Sequence, residues 1–188
     1  MATIDPGSAI LTAMYHSKRA DAQRLAADAR TLTVWEAAAL GANDRLRDLL
    51  DADPVLANAC AADGHTPLGL AAFFATASTA RLILERGGQV GAAARNEMKV
   101  QPLHAAVAAR NAETVALLLE HGADPNARQQ IGYTPLMGAA SAGRNDMADL
   151  LLARGADPSL ANDEGKTAAD IAREHGHAAL AERLSPSA

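Results

Sequence analysis

Gly132-Tyr133-Thr134-Pro135-Leu136-Met137-Gly138-Ala139-Ala140 reads as the start of a short helix, and its copies elsewhere in the chain decide the fold. A threonine hydroxyl before the helix can accept a hydrogen bond from an orphan backbone N–H. Proline suits the first turn, where its missing donor costs nothing. Gly64-His65-Thr66-Pro67-Leu68-Gly69-Leu70-Ala71-Ala72 and Gln101-Pro102-Leu103-His104-Ala105-Ala106-Val107 repeat the pattern. A fourth copy, Gly165-Lys166-Thr167-Ala168-Ala169-Asp170-Ile171-Ala172, has alanine in the proline place. The spacings are 35 residues from Pro67 to Pro102, then 33 to Pro135 and 33 to Ala168.

Each copy leads into a leucine-rich run: Leu82-Ile83-Leu84, Leu117-Leu118-Leu119, Leu150-Leu151-Leu152, and lastly Leu180 with Leu184. Between the copy and the run lies a break, at Gly143 or Gly176 in the later units. Gly87, Gly122 and Gly155 stand where a helix needs a left-handed residue to end. Turn-rich segments such as Asp124-Pro125-Asn126 then lead back to the next copy. Helices this short are marginal alone, so stacking on neighbours must stabilise them.

With its repeated Gly-x-Thr-Pro-Leu-His-x-Ala-Ala and Leu-Leu-x-x-Gly-Ala-Asp patterns, the chain resembles the ankyrin repeat family. The resemblance implies an all-α repeat solenoid of helix-turn-helix units joined by β-hairpin-like loops, with about four to five full repeats. It also implies a structural role for Thr66, Pro67, Pro102, His104, Thr134, Pro135 and Thr167, with His104 bonding between repeats. Extended backwards, the register places a degenerate repeat at about 31–62, where Trp35 falls at the motif-histidine position and is expected to pack between cap and repeat. Ile10 to Met14 and Ala22-Leu25-Ala26 read as the helix pair of an N-terminal cap, residues 8–30. Repeats at 63–95, 96–128 and 129–161 and a C-terminal cap at 162–184 complete a single domain at 8–184. Residues 1–7 are expected to be disordered and 185–188 to be a frayed tail.

Three departures carry expectations. Ala75 and Arg110 stand where other units break at glycine, so both turns should be mildly strained. The segment from Ala93 to Val100 is two residues longer than its counterpart before Thr134, and Lys99 replaces the hairpin glycine. That hairpin should project further or bend differently.

Composition narrows the function. The chain of 188 residues is 49% hydrophobic, 21% charged and only 3% aromatic, with a net charge of −5. Its mean hydropathy is −0.05 and its pI near 5.6. This is a soluble, globular composition. Acidic balance argues against nucleic acid, which needs a cationic face. The N-terminus shows no secretory pattern and no apolar run approaches a membrane span, so no membrane is expected and the cytoplasm is the default address. One cysteine, Cys60, excludes an internal disulfide and a cysteine zinc site. The preference for alanine, and for arginine over lysine, is a bacterial style of sequence.

The chain carries no recognised catalytic signature. Gly165-Lys166-Thr167 imitates the end of a phosphate loop, but Leu160 stands where the earlier glycine is required. His175 and His177 are two apart and do not share a helix face, so they read as solvent-exposed cap residues, with no metal and no cofactor expected. Asp63 and Glu97 read as solvated loop carboxylates.

In ankyrin repeats the concave side, made of first helices and hairpin tips, mostly holds the partner. On this chain that implies Tyr15, His16, Leu40, Phe73 and Phe74 from the helices, and His65, Met98, Gln130, Ile131 and Tyr133 from the hairpins. Four of the five aromatics, all but Trp35, fall there. Gathered aromatics suit a binding hot spot; alternatively, Phe73 and Phe74 fill space against adjacent helices left by Ala39 and Ala108. The expected function is a monomeric module binding an unidentified protein. The alternatives are an enzyme or small-ligand binder using the same groove, and a structural subunit with an apolar end.

Overall fold

The computed structural model describes residues 8–27 and 31–185. The expectation of disorder at 1–7 lies outside them, as does all of the tail but Ser185. Twelve α-helices are described, paired in six units: α1 (Ala9–Tyr15) with α2 (Arg19–Leu25), α3 (Val34–Leu40) with α4 (Asn43–Ala52), and α5 (Pro67–Phe74) with α6 (Ala77–Glu85). Then come α7 (Pro102–Ala108) with α8 (Ala112–Glu120), α9 (Pro135–Ser141) with α10 (Asn145–Ala153), and α11 (Ala168–Glu174) with α12 (Ala178–Leu184). The chain is an all-α repeat solenoid. No described residue forms a strand; the loops keep a hairpin form through single bonds such as Gln129 N–H to Tyr133 O at 3.0 Å.

Local chemistry starts each inner helix. Thr66, Thr134 and Thr167 accept from the backbone N–H three residues on, and Pro67, Pro102 and Pro135 open their helices. Each cap is worth about 1 kcal/mol. Thr33 does the same before α3 and completes a capping box with Glu36. That moves the first repeat's register by one. Glu36, not Trp35, occupies the motif-histidine place, and Ser8 of the cap donates to it at 2.7 Å. Trp35 is half-buried, and its indole N–H donates to Ala59 O at 3.1 Å.

Ala71, Ala72, Ala106, Ala139 and Ala140 are buried completely, so the inner helices approach closely. Outer helices contribute Ile83, Leu118 and Leu151 to the same core, which runs unbroken from Ile10 to Leu184. Outer helices end as expected: Gly87, Gly122 and Gly155 take φ of +85°, +84° and +87°. The next N–H bonds back to Ile83 O, Leu118 O or Leu151 O, satisfying carbonyls left free at the helix end. Leu25 does not join the core but is 53% exposed.

The breaks after inner helices correct one expectation. Arg110 takes φ +58°, a left-handed position costing about 1 kcal/mol without glycine. Ala75 does not: its φ is −109°, and α5 runs one residue longer than the other inner helices. The turn escapes strain by leaving the left-handed form, and the guanidinium of Arg19 donates to the exposed Phe74 O at 2.7 Å.

Neighbouring units are tied at the hairpin tips and, at two joints, beside the outer helices as well. At the hairpin tips Arg95 N–H donates to Gly64 O, Gln130 N–H to Met98 O and Asp163 N–H to Ile131 O. Beside the outer helices, Asn58 donates to Gly87 O and accepts from Gln89 N–H. Asn126 repeats this pair with Gly155 O and Asp157 N–H. The long hairpin closes from Ala94 N–H to Val100 O across two extra residues, and Lys99 accepts φ +51° in the glycine place.

Candidate functional site

A cavity of about 970 Å³ opens between the inner helices and the hairpin tips. Its floor comes from α5 and α7, with His104, Ala105 and Ala108 on α7. One side is the hairpin row of Asp63, His65, Asn96 to Met98 and Gln129 to Gln130. Tyr15, at the end of α1, closes the cap end.

The aromatics form one cluster. Phe74 stands edge-on to Phe73 at 4.7 Å and to Tyr15 at 5.2 Å between ring centres. His65 lies 6.3 Å from Tyr15. The packing reading of the Phe pair holds for Phe74, half-buried against the core, while Phe73 is 44% exposed. Edge-to-face pairs contribute about 1 kcal/mol beyond burial, so the cluster is held firmly.

Asp63 anchors it. Read as solvated, this carboxylate is instead only 4% exposed. It accepts from the Tyr15 hydroxyl at 2.7 Å and from His65 N–H at 3.0 Å, while its backbone carbonyl accepts from Asn96 at 2.9 Å. The Tyr15 phenol is pushed far above its ordinary range, first by burial, then by the hydrogen bond it donates to Asp63 and by the Asp63 charge that a phenolate would oppose. It remains a hydrogen-bond donor at any physiological pH. Sequence inspection could not find this pair, because the two residues lie 48 positions apart.

The other anticipated residues separate. His65, Met98 and Gln130 line the cavity with Tyr15, Phe73 and Phe74. His16 is exposed outside it, bonded to Thr12 O. Leu40 is half-buried against the core, with its carbonyl held by Arg19. Ile131 is exposed on a hairpin tip outside the lining. Tyr133 turns to its own helix, donating to Met137 O at 3.3 Å.

His104 bridges repeats, with Nε2 3.2 Å from Tyr133 O. Burial holds its pKa below the ordinary 6.5, against a smaller opposing effect of the Tyr133 and Ala127 carbonyls. Its neutral form therefore stabilises the fold fully above pH 6.5. Below that, the unfolded chain binds a proton that the folded one refuses, and stability falls. Chemical denaturation across pH 7 to 5 should show stability falling once the pH drops below 6.5, the loss from this residue ending at its folded-state pKa. A His104→Gln variant should lack that component.

The remaining motifs are structural. Lys166 pairs with Glu174 at 2.9 Å and Glu164 at 3.4 Å, and Gly165 takes φ +77° in a hairpin turn, so the segment is no phosphate loop. His177 is not solvent-exposed as expected; it is half-buried, 3.2 Å from Ser141 O. No group of three or more metal-ligating side chains occurs among the described residues. No helix among them is long and apolar enough to cross a membrane.

The chain has no significant match among curated proteins. Two family models do match: ankyrin repeats (3 copies) over residues 34–129, and ankyrin repeats (many copies) over residues 118–172. The first spans half of the chain, and both follow the helix pairs and the capped inner-helix starts described above. The chain belongs to the ankyrin repeat family.

Proposed function

We propose that this chain is a non-catalytic interaction module that holds a segment of a partner protein in the groove between its inner helices and hairpin tips. Ankyrin repeats are generally protein–protein interaction modules. One observation supports placing the partner here: a phenylalanine, Phe73, stays 44% exposed within a ready-made cavity although its neighbour is packed. Exposed aromatic surface in a preformed hollow loses water on binding at little ordering cost, the usual basis of a hot spot. Met98, also exposed, extends the apolar surface along the hairpins and can adapt its shape.

The test is co-purification from lysate of the source cells with the wild-type chain and a Phe73→Ala variant, followed by affinity measurement with the purified partner. Phe73→Ala should weaken the specific partner by tenfold or more, about 1.4 kcal/mol, while the circular dichroism spectrum stays unchanged. Equal affinity for both baits would move the partner off the groove. Capture of a small metabolite in place of a protein would favour a ligand-binding role.

A further inference from the structure

The groove is not electrically neutral. Among the described residues two carboxylates line it, Asp63 and Glu97, and no lysine or arginine does. Among the described residues neither carboxylate is in an ion pair. Asp63 is almost fully buried, and the partners of its side chain, the Tyr15 hydroxyl and the His65 N–H, are uncharged donors. A buried carboxylate held by neutral donors alone keeps an uncompensated negative field around it. Arg19, which reaches the aromatic wall, is committed to the carbonyls of Phe74 and Leu40. Glu97 is exposed on the adjoining hairpin.

The aromatic cluster stands beside this field. Rings present a negative face, so they attract a cation within about 6 Å of the ring centre, and more strongly where water is excluded. An acidic partner segment would meet two like charges here, and a purely apolar one would leave the field of Asp63 unanswered.

From this charge complementarity we infer that the groove takes a protein segment anchored by a lysine or arginine side chain, seated between the aromatic cluster and the carboxylates of Asp63 and Glu97, with an apolar residue beside it on Phe73. The inference rests on the groove being the protein-binding surface. The chain's net charge of −5 favours the approach of such a segment.

A phage-displayed random peptide library, selected on the immobilised full chain, tests both levels separately. Selected sequences should be enriched in lysine or arginine next to an apolar residue, and their binding should weaken as salt is raised. Titration calorimetry of a selected peptide should show Glu97→Lys and Phe73→Ala each weakening it about tenfold, with Glu97→Gln in between. Because Glu97 is exposed, its two variants leave the fold intact, and circular dichroism checks this for them and for Phe73→Ala.

Selected peptides that are acidic or neutral, yet depend on Phe73, would overturn the cationic anchor and leave the interaction module standing. Equal binding by wild type and Glu97→Lys would overturn it as well. No enrichment at all would count against both readings. A dimer of the chain that Phe73→Ala dissociates would make the occupant a second copy and overturn the inference.

Discussion

Gly64→Ala should cost about 3 kcal/mol of stability, through two additive causes. Gly64 has φ +86°, a left-handed position that penalises any Cβ by about 1–2 kcal/mol. An added Cβ would also lie 2.7 Å from the Arg95 carbonyl carbon and 2.8 Å from its oxygen. Those atoms are backbone and cannot swing aside. They belong to the residue whose N–H holds the Gly64 carbonyl, so relief of the clash must loosen the tie between two hairpin tips. Gly122→Ala separates the causes, because Gly122 has φ +84° but nothing within 4 Å of the added carbon. It should cost only about 1 kcal/mol, and urea denaturation of the two variants beside wild type reads the difference. Equal losses would show that the tips part freely.

Leu118→Ala should cost a similar or larger amount, about 3–4 kcal/mol, lowering the melting temperature by roughly 10 °C. Leu118 lies on α8 with 0% exposure. Truncation removes the side chain's branched isopropyl end from a close-packed core and leaves a void that short, tethered helices cannot close. The position adds a second effect. Each unit touches only its neighbours, so a weakened middle unit uncouples the halves of the stack. Calorimetry should therefore show a broader transition as well as a lower one. Leu25→Ala, at a residue 53% exposed, should change neither by more than about 0.5 kcal/mol.

The fold was legible because the same local chemistry recurs at one spacing. Thr66, Thr134 and Thr167 cap in sequence and in structure alike, and each leucine run becomes an outer helix. Where an anchor residue is missing, the reading slipped. Val34 stands in the proline place, and Trp35 was set one position too far along, hiding the role of Glu36. Ala75 looked strained because neighbouring units use a left-handed residue there; only the structure shows a different turn, capped by Arg19 from another unit.

The groove was half legible. The repeat register brings Phe73, His65 and Met98 to one surface. It says nothing of which side chain folds under which, so Leu40, Tyr133 and Ile131 were counted with them. The burial of Asp63 depends on Tyr15 reaching across from the cap, a long-range event without local pattern. The extra length of the 93–100 hairpin was foreseen, and Lys99 keeps the left-handed turn in place of glycine.

The asparagine ties have a mechanical consequence. Asn58 and Asn126 each stand three residues before a hairpin's closing N–H and fasten two adjoining units on the outer side. At the joint between them the same place holds Gly91, three residues before Ala94, which has no side chain to reach across. The α5–α6 and α7–α8 units are thus clasped by their inner helices and by the tip bonds of Arg95 to Gly64 O and Asn96 to Asp63 O, but carry no asparagine latch behind. Bending the stack there stretches no asparagine pair on the outer side. That joint carries Phe73 on one side and Met98 on the other, so the outer latch is missing where the groove's jaws meet.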